Sequence, residues 1–420
     1  MYLKSFRLRL AALVVATAVV SACTEDLDNS AGCPLLCSDQ GGQIETVTLD
    51  PVVLDTTVTA LTGLGTEASL LLATRGDTID SRAVIRFDSI PARFQRLLSD
   101  TTTTAITTVD SAFIRLRVDT VGGRIPPTVI LDAFDVDSPA GDTLVAPVAA
   151  LFRADRLIGS RTYAATQLKD TLIFALPPEA ILNRRGGRLR VGLRARSTGS
   201  VQLRILSIEG SAAPTLLSFR VSADTAVRPI VLFPYSKTPA DQPAVAASLA
   251  DYTLLVKGTP PGPIGTLNVG GLPASRAYLR FVVPAFLIDS ADIVRASLLL
   301  TQRPNRGVGA LDTILVIPHV SLAGKAVTDV ARAAQITAVA ASDSLRLIPQ
   351  DSGLKTLEIA GVISLWRAQN VEQTPRAIVL VSTREGQTPL EAQFFSTEAA
   401  PGLRPRLRIS YSKRQSGGLP

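Results

Sequence analysis

Side chains able to do chemistry are few in this chain and scattered. The single histidine, His319, lies in Ile317-Pro318-His319-Val320, inside an alternating apolar run, where a packed strand residue is expected rather than a base or a metal ligand. Cys23, Cys33 and Cys37 are the only thiols, too few beside one histidine for a zinc site. No G-x-S-x-G, H-E-x-x-H or P-loop pattern occurs. Carboxylates are plentiful, often ahead of threonine as in Asp142-Thr143, Asp170-Thr171 and Asp312-Thr313, where a side-chain turn bond is the usual role. A glycosidase pair has no sequence signature that singles two of them out. Asp132, Asp135 and Asp137 offer oxygens that suit calcium, but no loop motif accompanies them. The expectation is a protein without catalytic residues, metal or cofactor, and not an enzyme.

Arginine is the polar feature above background. Arg184, Arg185, Arg188, Arg190, Arg194 and Arg196 fall within thirteen positions. Guanidinium makes bidentate contacts to carboxylate and sulfate and stacks on rings. Arg188, Arg190 and Arg194 are therefore candidate ligand-binding residues, joined by Arg276, Tyr278 and Arg280 on a second strand. Tyr278 is the best aromatic candidate for an exposed platform in a chain with only 5% aromatics, and Trp366 is expected to pack a covering segment. The plain alternative is a cross-strand ladder of arginine and aspartate on a solvated face. The formal charge of +7, lowered further once Lys4, Arg7 and Arg9 are removed, is too small to mark a nucleic-acid binder.

The elements that must carry these side chains are strands. From Glu45 onward apolar and polar residues alternate in short runs broken by Gly, Pro and Asp, as in Arg188-Leu189-Arg190-Val191-Gly192-Leu193-Arg194. That is the pattern of antiparallel sheets with one face buried. Helical patterns are short: Pro91 to Ser99, Pro177 to Asn183, Thr328 to Ala341 and Glu358 to Gln369. The chain also repeats. Ser81-Arg82-Ala83-Val84-Ile85-Arg86-Phe87 returns 194 residues later as Ser275-Arg276-Ala277-Tyr278-Leu279-Arg280-Phe281, and later segments return in the same order. The fold expected is all-β: two tandem antiparallel jelly-roll-like β-sandwich domains, at 45–222 and 228–412, joined through Ala223 to Val227, with a tail at 413–420.

Ahead of them, Met1 to Arg9 is basic, Leu10 to Val20 is apolar, and small residues lead into Cys23. This reads as a signal peptide over 1–22, too short in its apolar part to span a bilayer. Val20-Ser21-Ala22-Cys23 resembles the lipobox of bacterial lipoproteins, which implies that Cys23 is the lipidation site; an ordinary secretory leader with an incidental cysteine is the plainer alternative. Residues 23–44 read as a flexible tether, in which Cys33 and Cys37 are expected as a local disulfide or a free pair. The resemblance implies a cell-envelope protein anchored by its N-terminal lipid, and Thr24 after the cysteine implies the outer membrane, on its periplasmic face or the cell surface. No later segment is long and apolar enough for a membrane-spanning helix.

The run Ser275 to Phe281, the segment Glu358 to Trp366, the run Phe394-Phe395-Ser396-Thr397-Glu398 and the closing Arg404 to Tyr411 resemble the DNRLRE-type module. That is a jelly-roll-like sandwich related to disaggregatase and grouped with carbohydrate-binding modules on surface proteins. The resemblance covers most of the second copy and, more loosely, the first. It implies a binding or structural role. The function expected is an envelope protein that recognises an extracellular, acidic polysaccharide. The alternative is a structural or assembly lipoprotein whose sandwiches contact other envelope proteins.

Overall fold

A computed structural model describes residues 44–413 apart from 61–64, 98, 140–143, 211–214, 238–248, 261, 306–311, 341 and 370–372. Cys23, Cys33, Cys37, the leader, the tether and residues 414–420 lie outside the described residues. The chain opens with β1 (Ile44–Leu49) and β2 (Val52–Thr59). It continues through β3 (Ser69–Arg75), β4 (Ile79–Phe87), β5 (Arg93–Phe94), β6 (Thr104–Ala105), β7 (Ser111–Arg124), β8 (Thr128–Asp135), β9 (Leu157–Ala164), β10 (Thr171–Leu176), β11 (Leu189–Arg196), β12 (Val201–Leu206), β13 (Leu216–Arg220), β14 (Ile230–Leu232) and β15 (Asp251–Lys257). It closes with β16 (Thr266–Gly270), β17 (Ser275–Phe281), β18 (Ala291–Arg303), β19 (Ile314–Ser321), β20 (Thr337–Val339), β21 (Leu345–Leu347), β22 (Gly353–Glu358), β23 (Ala377–Ser382), β24 (Glu391–Phe395) and β25 (Arg406–Lys413).

These strands form two large antiparallel sheets consistent with β-sandwiches. One runs β14-β13-β7-β12-β3-β4-β11-β8-β9, with β10 on β7 and β15 on β4. The other runs β1-β25-β18-β24-β16-β17-β23-β19-β20, with β22 on β18 and β2 on β17. The two orders superpose strand for strand, as a duplicated sequence requires. Each sheet encloses its own core. Ile85, Leu116, Leu131, Phe174, Val191, Leu203 and Phe219 share the first; Leu279, Leu298, Val316, Trp366, Leu380 and Phe394 share the second. Fully burying such a side chain contributes roughly 1.5–3 kcal/mol. Trp366 is on the helix Ala360–Ala368, fully enclosed with its ring 5.3 Å from that of Phe281.

Sheet membership departs from the linear division at 45–222 and 228–412. Strands β1 and β2 belong to the second sandwich, where Glu45 lies opposite Tyr411 and Tyr278 opposite Thr56. Strands β14 and β15 complete the first, where Ser218 lies opposite Val231 and Tyr252 opposite Val84. The first sandwich is thus continuous from β3 to β15 and is inserted between β2 and β16 of the second. Strands β2 and β15 occupy equivalent sites, β2 beside β17 and β15 beside β4. Gly65, four residues ahead of β3, and Gly265, immediately ahead of β16, have left-handed φ of 74° and 73°. Leu71, Ala73, Ile79, Leu255 and Leu272 pack where the sandwiches meet.

Short helices form at Pro178–Leu182 and Val330–Ala333, inside two of the expected segments. Pro91 to Ser99 is not helical; β5 pairs there with β6 in a hairpin.

Candidate functional site

Both faces of the strand pair β4 and β17 are covered. Ala83, Ile85 and Phe87 point into the first core, while Val84 packs outward with Phe134, Val148, Tyr252 and Leu254. In the second sandwich Ala277, Leu279 and Phe281 point inward, and Tyr278 packs outward with Ala323, Ala333, Ala377 and Val379. Alternation therefore locates two faces correctly, but the face bearing the arginines is not a bare solvated surface. A second layer, built from 145–156 in one copy and 322–334 in the other, lies on it.

That layer decides the fate of each candidate. The Arg190 side chain is enclosed; its Nε donates to Val136 O at 2.8 Å and its Nη2 to Ser138 Oγ at 3.0 Å. Arg188 donates from Nε to Asp137 Oδ1 at 2.6 Å, and Arg184 pairs with both Asp135 and Asp137. Arg194 stands 3.9 Å from Asp80, and Arg196 pairs with Asp132. The strand Arg188 to Arg196 is the arginine–aspartate ladder, and Asp132, Asp135 and Asp137 are spent on it. Among the described residues no cluster of three His, Cys, Asp or Glu side chains is placed to hold a metal ion. Arg276 forks onto Glu385 at 2.8 and 2.6 Å and donates to Ala334 O. Tyr278, expected on the surface, is 4% exposed, because the covering layer sits on it, and burial raises its hydroxyl pKa. His319 is half-buried and bonds Thr337 Oγ1 through Nδ1 at 3.0 Å; burial first, then Arg276, pushes its pKa down.

Arg280 is different. It is exposed, opposite Leu54 and Ala377, and no ion pair to it occurs among the described residues. It lines a cleft of about 630 Å³ together with Val53, Phe281, Val282, Val283, Lys325, Pro375 and Arg376. Three cations and no carboxylate line it. Lys325 is exposed and likewise without an ion pair among the described residues. The Arg376 side chain is only 10% exposed, with Asp289 at 4.0 Å, and its Nε has no hydrogen-bond partner; burial pushes its pKa down.

The repeat explains why a cleft opens at this position and not at the equivalent position of the first sandwich. Arg280 corresponds to Arg86, and Ala377 to Arg190, since Arg86 lies opposite Arg190 as Arg280 lies opposite Ala377. Two residues on, Asp88 corresponds to Val282. In the first copy Arg86 Nε donates to Asp88 Oδ1 at 2.9 Å, both side chains are nearly enclosed, and Tyr235 bonds the backbone on either side. In the second copy the acid is a valine and the large opposite neighbour an alanine. An aspartate gives way to an apolar valine and an arginine to a small alanine, and Arg280 lines the open cleft.

Of the expected site residues, only Arg280 lies in this cleft. Val53, Val282, Lys325 and Arg376 come from four separate segments and escaped a reading based on local runs of arginine. Aligning the repeats shows the signal: an arginine whose carboxylate partner is lost in one copy.

No family model matches the chain, and no curated protein matches it. Solved structures with some likeness include a protein from Parabacteroides distasonis described as secreted, at 11% identity, covering 89% of this chain and all of that one, with a TM-score of 0.24. Others are the infectious bursal disease virus Gt strain, at 13% identity, 90% and 76% coverage and a TM-score of 0.14, and the Macrobrachium rosenbergii nodavirus, at 9% identity, 91% and 93% coverage and 0.15. At such TM-scores these likenesses bear on neither fold nor function.

Proposed function

We propose that this is a non-catalytic binding protein of the cell envelope, tethered by lipid at Cys23, that holds an acidic polysaccharide through the cleft at Arg280, Lys325 and Arg376. The observation that carries the reading is the two cations of that cleft, Arg280 and Lys325, that have no ion pair among the described residues, beside a first sandwich whose equivalent arginine is neutralised. The leader ending in Val20-Ser21-Ala22-Cys23 supports envelope location and the anchor, and the resemblance to DNRLRE-type modules supports a binding role. Each exposed ion pair is worth about 0–1 kcal/mol, so useful affinity comes from several carboxylates of one polymer engaging together. Such binding weakens with salt, since about 0.15 M already limits exposed charges to a range of about 8 Å.

Affinity electrophoresis in gels containing alginate, pectate or a neutral glucan tests the reading. The wild-type chain should be retarded by the acidic polymers at low salt and released at high salt. Arg280→Ser/Lys325→Ser should lose the retardation, whereas Arg184→Ser/Arg188→Ser, which alters the ladder, should keep it. No retardation by any acidic polymer would favour the assembly role instead, with other envelope proteins as partners.

A further inference from the structure

The cleft is only half described by its charge. Val53 is 54% exposed and Val282 64% exposed, and with the partly exposed Pro375 they give the cleft an apolar wall. Large exposed valines are costly to leave facing water side by side, and they sit within the same cleft as the two unpaired cations. The first sandwich has Asp88 at the position of Val282 and fills its equivalent place with an ion pair, so this apolar wall is peculiar to the copy that keeps its arginine open.

An unsubstituted uronate fits such a wall poorly. Its hydroxyls project around the ring edge, and a hydroxyl pressed against valine and proline loses water without gaining a partner. A short acyl ester on one of those hydroxyls removes a donor and presents a methyl group to the wall instead. The carboxylate of the same or the neighbouring sugar then remains free to meet Arg280 and Lys325 at the rim, with the enclosed Arg376 behind.

Resting on the proposed polysaccharide reading, we infer that the cleft selects acyl-substituted acidic glycans: the acyl group seats against Val53, Val282 and Pro375 while a carboxylate pairs with Arg280 and Lys325. The specificity-determining residues are the two exposed valines, and the arginine and lysine supply charge without discriminating between substituted and bare polymers.

The test compares naturally O-acetylated bacterial alginate with the same preparation deacetylated by mild alkali, at equal carboxylate content, by affinity electrophoresis of the full chain. The wild type should bind the acetylated polymer about fourfold more tightly, the ratio expected from burying one methyl group. In Val53→Ser/Val282→Ser that ratio should fall to about one; both positions are exposed, and circular dichroism confirms that the variant is folded. Arg280→Ser/Lys325→Ser should lose retention on both polymers. Equal retention of the wild type on the two polymers, still lost in the arginine and lysine variant, would overturn the acyl preference and leave the polysaccharide reading standing. A ratio that survives the valine substitutions would overturn it as well. Absence of retention on either polymer would overturn both readings together.

Discussion

Arg86 and Arg280 stand at the same register position in two sandwiches of the same topology, and one is locked while the other is open. Arg86 has Asp88 beside it, Arg190 across from it and the Tyr235 segment along its edge. Arg280 has Val282, Ala377 and a cleft. Duplication lets one copy spend its arginines on holding layers together while the other gives up two partners and gains a charged recess. At the position of Asp88 an apolar residue stands in the second copy, which leaves the fold without that ion pair and leaves an open cleft beside Arg280.

The largest expected effect breaks the comparison at the level of whole strands. A fragment spanning 66–257 contains every strand of the first sandwich and should unfold cooperatively, whereas a fragment spanning 45–222 lacks β14 and β15. The latter exposes the β4 edge and the cluster around Val84 that Tyr252 and Leu254 complete. Denaturation followed by circular dichroism should show a sharp transition for the first fragment and none for the second. A cooperative transition in 45–222 would show that β15 is dispensable.

Next in size is the ion pair itself. The Arg86 and Asp88 side chains are 11% and 6% exposed, so Asp88→Ala leaves an enclosed cation without its acid and should cost about 3–5 kcal/mol. The matching Val282→Ala, at an exposed position, should stay within about 0.5 kcal/mol. Urea denaturation of the two variants measures the difference, and equal losses would mean that the copies do not differ as described.

A smaller and pH-dependent effect marks the junction. Asp251 opens β15, is fully enclosed, and accepts from Ile208 N at 3.0 Å on Oδ2. Burial first, then the charge of Glu209, pushes its carboxyl up to about 8. The folded chain keeps a proton that the unfolded chain releases near pH 4, so the associated stability is complete below about pH 4 and is lost as pH rises through about 8. The urea midpoint should be lower at pH 9 than at pH 6, and Asp251→Asn should flatten that slope. A midpoint indifferent to pH would place no buried proton there.

How much of this the sequence carried can be said residue by residue. Alternation in Arg188 to Arg194 placed Leu189, Val191 and Leu193 in the core and the arginines opposite, because side-chain direction in a strand is a local property. Ser81 to Phe87 and Ser275 to Phe281 identified β4 and β17 as counterparts for the same reason. Which strand lies beside them is not local. β2 and β15 have similar patterns and fill equivalent sites in different sandwiches, so the insertion of one sandwich into the other was not legible. The ladder partners Asp132, Asp135 and Asp137 are about fifty residues or more from their arginines, and the layer over Tyr278 comes from 322–334. Such pairings appear only once the sheets are assembled.

The central proposal is that the cleft at Arg280 binds an acidic polymer because no acid stands beside that arginine, and Val282→Asp supplies the neighbour that Arg86 has. Affinity electrophoresis of the full-length variant in alginate at low salt measures it directly. Retention should fall to that of Arg280→Ser/Lys325→Ser while the urea midpoint holds or rises. Retention equal to that of the wild type would contradict the claim.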